Sequence, residues 1–415
     1  MNLHGVAALV VSAALALAGC GSSSTAPGAS TSASQAPAAG QITVWVDANR
    51  QPVLKDVADQ FTKETGVAVD LQVKDFSTIR DDAITQIPTG KGPDILIGAH
   101  DWTGKLVQNG VVAPVELGSK ASQFQSVSVQ AMTYEGKVYG VPYSVENLGL
   151  LRNTALAPTA PTSWADLVTT GKAAVSSGKA KYPVLLELDP MKADSYHLYP
   201  LQASYGAPVF TSKPDGSLDA TTIAMGNEGG KQFAAALAQW GKDGVLNLSI
   251  SKDIAKEQFI AGTSPYLVTG PWNLADIKKA GIQYAIDPIP AAGPQPATPF
   301  VGVQGFFLSA KSQNAVAANT FLLNYIGSEK VQTALYQAGN RAPALTSAFN
   351  AAQSDKDVAA FGAIGATGVP MPNVPAMDQV WTDWGTTEAQ LIGGKAADPA
   401  AAWTQMVASI QAKIK

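Results

Sequence analysis

A single cysteine, Cys20, stands among 415 residues, so no intramolecular disulfide can form and the fold rests on its hydrophobic cores. Histidine is nearly as scarce. His4, His100 and His197 are too few and too scattered for a typical metal centre, and neither a metal nor a cofactor is expected. Charged residues make up only 14% of the chain, with a net charge of −4, a pI of about 5.4 and no basic run, which argues against a nucleic-acid partner. The sequence has no G-x-S-x-G elbow, Walker A loop or H-E-x-x-H motif, and the glycines from Gly362 to Gly368 have the wrong spacing for a dinucleotide fingerprint. It has no solenoid-length repeat. Beyond the N-terminus, no stretch is apolar for long enough to cross a bilayer.

The N-terminus accounts for the cysteine. Val6 to Ala18 is an apolar run of signal-peptide length that ends in Leu17-Ala18-Gly19-Cys20. That ending resembles a bacterial lipobox, which implies a signal peptide over residues 1–20, lipidation at Cys20 and a membrane anchor. Met1 to Gly5 departs from the pattern, offering His4 where such signals carry Lys or Arg. Residues 21–40 are small and uncharged. They cannot bury enough apolar surface to offset the entropy of ordering, so they read as a flexible tether. What remains exceeds the usual size of one core, and two domains are expected.

The first of these opens with clear periodicity. Ile42, Val44 and Val46 alternate as a strand, Val53, Leu54, Val57 and Phe61 recur at helical spacing before Gly66, and Val67 to Val73 alternates again. A helix over 78–87 and a short apolar strand after Gly92-Pro93 follow, then a helix over 103–109. This order predicts α/β architecture with a parallel sheet. Met132 to Tyr143 reads as a hairpin around Glu135-Gly136. Tyr182 to Leu188 reads as a second apolar strand, opening a second α/β unit. Helices are expected over 164–177, 228–240, 254–262, 377–393 and 399–414, the last capped by Asp398.

The strand after Gly92-Pro93 ends in His100-Asp101-Trp102. In an open parallel sheet the carboxyl ends of the strands form the ligand mouth. A carboxylate, an imidazole and a flat apolar ring there suit a carbohydrate, whose hydroxyls need hydrogen bonds and whose ring faces need a surface. Asp101 could instead cap the following helix. Glu146 lies in an apolar run where an unpaired carboxylate would be costly, so it needs donors from a ligand, from Arg50 or from a structural ion pair. Trp272 follows Gly270-Pro271 on a turn, which suits an exposed platform. Trp381 and Trp384 are three apart on one helix and both could be core, as Trp45 and Trp164 are expected to be.

Several phrases together resemble the maltose- and maltodextrin-binding proteins of bacterial ABC importers, in the type 1 extracellular solute-binding family. They are Ile42-Thr43-Val44-Trp45-Val46, Gly92-Pro93-Asp94-Ile95, Ala99-His100-Asp101, Gly136-Lys137 with Pro142 and Val145-Glu146, Asn153, Pro161-Thr162-Ser163-Trp164, Gly270-Pro271-Trp272, Pro299-Phe300-Val301-Gly302-Val303 and Met371-Pro372-Asn373-Val374-Pro375. Their order spans nearly all of 41–415. The resemblance implies a two-lobed, type II periplasmic-binding-protein-like fold with discontinuous lobes, 41–145 with 302–350 and 146–301 with 351–415, and the ligand in a cleft at the hinge.

It implies a binding role for Asn49 and Arg50 after the first strand, with an amide where the family has a carboxylate. It also implies one for Asp101, with Trp102 where the family has Arg, and for Glu146, Asp194, Tyr196, Trp272 and Trp381. Gly98 stands where the family places a stacking Trp, which would admit a broader ligand to the backbone. Gly385 stands where it places an Arg. Of the adjacent Tyr196 and His197, only one can readily face the cleft, and His100 is expected to support Asp101. The implied function is a monomeric, lipid-anchored binding component that captures maltose or maltodextrin-like oligosaccharides by lobe closure and delivers them to an ABC permease. A binding protein for another sugar, such as trehalose, and a secreted carbohydrate-active enzyme using Asp101, Glu146 and Asp194, stand as alternatives.

Overall fold

The alternating strands predicted at the start of the folded region pair as a parallel sheet. In the computed structural model, which describes residues 40–212 and 218–414, β1 (Gln41–Val46) lies between β2 (Ala68–Val73) and β3 (Ile95–Ala99), parallel to both. The expected signal peptide, Cys20 and nearly all of the tether fall outside the described residues. α1 (Gln51–Thr65) joins β1 to β2 and buries Leu54, Val57, Ala58 and Phe61 on the sheet. α2 (Phe76–Gln86), capped by Asp75, joins β2 towards β3. The Gly92-Pro93 break sets the start of β3, whose five residues are all buried.

The sheet then turns antiparallel. Strand Phe300–Ser309 pairs with β3 on one side and with strand Gly140–Asn147 on the other. These two long strands carry the chain between two separate hydrophobic cores. One core gathers Ile42 to Tyr143 and Val303 to Ala348, and the other gathers Leu148 to Phe300 and Met371 to Ile410. Contacts across the crossing join both into one unit from Ala39 onward. A buried histidine ties Met371 of the second core to the crossing strand. His100 Nε2 donates to Met371 O at 2.9 Å, and its Nδ1 accepts the Val303 N–H at 3.0 Å. Burial holds the imidazole pKa below its usual range.

The second core is a second α/β unit, but it is not built on the strand expected over 182–188. Its sheet has strand Gly149–Asn153 at the centre, antiparallel to both Tyr266–Thr269 and Tyr284–Asp287. Residues 182–188 do not form a regular strand. Pro183 offers no N–H to a ladder, and the run contributes one bridge, Leu185 to Leu267. Helices pack around this sheet: Ser195–Ser204, Glu228–Lys242, Ala376–Ile392 and Pro399–Lys413, the last capped by Asp398 as expected. Tyr199 stacks on Phe300 with ring centroids 3.6 Å apart, tying the crossing strand to this core.

Candidate functional site

Between the two cores lies a cleft of about 780 Å³, within the ~300–1,000 Å³ usual for small-molecule sites. The first wall comes from the carboxyl end of β3 and the start of α2: Ala99, Asp101, Trp102, Phe76 and Arg80. Asp101 sits in a tight turn (His100–Trp102) ahead of α3 (Thr103–Gln108), and Trp102 takes the cap position with no side-chain cap bond. Asp101 is therefore not the helix cap. Its Oδ1 is buried without a hydrogen-bond partner. Desolvation pushes its pKa from the ordinary 3.8 to about 7, against the pull of Arg80. Trp102 packs on Phe76 at 4.9 Å. A Cβ on Gly98 would lie 2.6 Å from the Trp102 ring, so the glycine makes room for the indole rather than for a ligand.

The floor is the hinge. Glu146 and Gln304 face each other across the paired crossing strands. Glu146 Oε1 accepts from Gln304 Nε2 at 2.8 Å, and Oε2 accepts from Arg341. Desolvation would raise its pKa, but Arg341, Gln304 and Arg50 together hold it below the usual carboxylate value. Gln304 Oε1 is buried without a partner.

The second wall is built on helix starts and a loop: Glu187, Asp189, Lys192, Asp194 and Tyr196, with Trp381. Asp194 caps the Ser195–Ser204 helix, accepting the N–H groups of Tyr196 and His197. Tyr196 stacks towards Phe300 at 6.3 Å, and Trp381 lies on Trp384 at 5.5 Å and 17°. Close packing of the loop requires Gly385, because a Cβ there would meet Ala193 O at 2.5 Å. The cleft thus combines buried acceptors, a few cations and supported aromatic faces. That set can bind a neutral polyhydroxylated molecule by hydrogen bonding and stacking.

Comparison with known proteins decides the family. The description "Bacterial extracellular solute-binding protein" matches residues 56–362. The chain belongs to that family. Members bind solutes and are not enzymes. Among its relatives is the galactooligosaccharide-binding protein of Bacillus subtilis, 28% identical over 98% of this chain and 96% of that one. Another is a maltooligosaccharide ABC transporter solute-binding lipoprotein of Streptococcus pneumoniae, 27% identical over 92% of this chain and 90% of that one. Among solved structures, Thermus thermophilus maltotriose binding protein bound with maltotriose aligns with a TM-score of 0.82 at 28% identity, covering 90% of this chain and 100% of that chain. The fold is the two-lobed, type II periplasmic-binding-protein fold.

Of the residues singled out from the sequence, this solute-binding protein brings Asp101, Trp102, Glu146, Asp194, Tyr196 and Trp381 to one cleft. It leaves three outside the lining. Asn49 is exposed on the turn after β1. Arg50 is buried, paired with Asp47 and donating to Tyr143 Oη at 2.7 Å. The carboxylate that pairs with Arg50 is Asp47, three residues before it. Trp272 is half-buried beside Tyr196, 6.4 Å between ring centroids, with the Arg341 guanidinium 5.7 Å from its ring. Sequence reasoning also missed Arg80, Glu187, Gln304 and Arg341. Asp47 had a local signal, since its Oδ1 accepts the N–H groups of Asn49 and Arg50 in the turn that starts α1. Arg341 had none, because it reaches Glu146 from a loop 195 residues away.

Proposed function

We propose that this protein is the lipid-anchored binding component of an ABC sugar importer that captures maltodextrin-like oligosaccharides. One observation carries the reading: Asp101 Oδ1 and Gln304 Oε1, buried acceptors without partners, line the same cleft as the faces of Trp102, Tyr196 and Trp381. Sugar hydroxyls donate to the acceptors while pyranose faces lie on the rings. Asp101, Trp102, Glu146, Asp194, Tyr196 and Trp381 contact the ligand, and Arg50 and Trp272 support Tyr143 and Tyr196. The lobes, 41–145 with 302–350 and 146–301 with 351–415, close on the sugar because it touches both, and the two separate cores support that division. The closed form then docks on a membrane permease, with Cys20 holding the protein near it.

The maltotriose and maltooligosaccharide named for two relatives support an α-glucan ligand. The galactooligosaccharide-binding relative favours a second reading, capture of a galactose-based oligosaccharide. Calorimetry against maltose, maltotriose, longer maltodextrins, trehalose and a galactooligosaccharide separates the two. A response to maltotriose with no shorter sugar released is expected. A response to the galactooligosaccharide alone replaces the first reading with the second. For the anchor, Cys20→Ala is expected to release the protein from the membrane fraction.

A further inference from the structure

The two carboxylates of the second wall differ in what they have left to offer. Asp194 is nearly saturated. Its Oδ1 accepts from the Tyr196 and His197 amides at 3.0 and 3.3 Å, and its Oδ2 from His197 Nδ1 at 2.8 Å. A carboxylate has about four acceptor sites, so roughly one remains. Glu187 lines the same cleft with 24% of its side chain exposed and makes no hydrogen bond among the described residues. The group nearest it is His197 Nε2 at 3.8 Å. That nitrogen is buried and without a hydrogen-bond partner, while the other side of the ring is bonded to Asp194. The imidazole is thus wedged between two carboxylates, bonded to one and facing the other.

We propose that Glu187 contacts the ligand as the main hydroxyl acceptor of the second lobe, with His197 as the positioning residue that holds it turned into the cleft. The proposal rests on the carbohydrate reading and adds a residue to it. The charged groups facing Glu187 are Asp194 and His197 from the Ser195–Ser204 helix and its cap, and Lys252 and Asp253 from the Lys252–Ile260 helix. Desolvation, Asp194 and Asp253 hold the Glu187 carboxyl above its ordinary value, although His197 and Lys252 pull it down. Desolvation lowers the His197 pKa, but Asp194 and Glu187 outweigh it and raise the imidazole, favouring a cation between them. The 3.8 Å gap leaves both Glu187 oxygens open to neutral donors.

The test is calorimetry on the full chain with maltotriose and its monodeoxy derivatives, for wild type, Glu187→Gln and His197→Asn. The asparagine keeps an N–H for Asp194 and removes the cation facing Glu187. Glu187→Gln is expected to bind at least tenfold more weakly with little change in melting temperature. One monodeoxy derivative that weakens wild-type binding should cost this variant nothing further. In His197→Asn, affinity should fall off at a higher pH than in wild type, and imidazole NMR should show the His197 pKa dropping in Glu187→Gln. Wild-type affinity in Glu187→Gln overturns the proposal. So does stoichiometric zinc binding that Glu187→Gln abolishes and sugar does not displace, which would make the trio a cation site. If no α-glucan binds wild type, the same cycle is run with the responding sugar, so loss of the substrate reading and loss of the Glu187 role are read separately.

Discussion

The two walls of the cleft are prepared for a ligand in different ways. The first, on the end of a parallel sheet, holds Asp101 with a buried oxygen that nothing satisfies and a pKa driven up to about 7. The second, on helix starts, satisfies Asp194 within its own helix and backs Tyr196 and Trp381 with Phe300 and Trp384. The first wall presents a buried oxygen that nothing satisfies, and the second sets its open acceptor, Glu187, beside aromatic rings already backed by packing. A sugar that touches both relieves the first with hydroxyls while lying on the second. This gives the closed state a differential affinity that neither wall provides alone.

Removing the stacking surface should have the largest effect. Trp381→Ala is expected to cost about 2 kcal/mol of binding or more, roughly 30-fold in Kd by calorimetry. Trp272→Ala, outside the cleft lining, should cost less; equal losses would erase the distinction between the ring that lines the cleft and the one beside Tyr196. On the first wall, Gly98→Ala drives a methyl into the Trp102 ring and should destabilise the protein by about 1–3 kcal/mol. On a Trp102→Ala background the same change should cost little, and thermal denaturation of both pairs checks this.

Asp101 gives a signed pH prediction. Its folded pKa, about 7, lies above the ordinary 3.8, so the stability it allows at low pH is lost as pH rises from about 4 to about 7. Asp101→Asn should therefore raise the melting temperature of the sugar-free protein by a few degrees at pH 8 and barely change it at pH 4. The same variant should bind sugar more weakly, because it loses an ionised acceptor. The smallest effect is expected from Asp378→Asn. Asp378 pairs with Arg80 of the first wall and with Lys105, each at 2.9 Å. A partly exposed pair of this kind contributes about 1 kcal/mol or less, so affinity should change by less than about tenfold.

How far the sequence spoke also differs between the walls. β1, α1, β2 and β3 were legible because alternation, helical spacing and the Gly92-Pro93 break all act locally. Asp101 was legible because position at the end of such a strand carries meaning by itself. In the second lobe the sheet is assembled from strands more than 100 residues apart, 149–153 with 266–269 and 284–287, so no local period revealed it. The apolar run 182–188 looked like a strand because burial and strand pairing leave the same pattern. Glu187 was hidden inside that run. Gly98 was read as an opening for a ligand, and only the packed Trp102 ring shows what it admits.

The most direct test titrates maltotriose into wild type, Asp101→Asn and Trp381→Ala side by side. One wild-type site per chain is expected, weakened by either change, each variant lying on a different wall. Wild-type binding in both variants, or no binding of maltotriose to wild type, would contradict capture of this sugar between the two lobes.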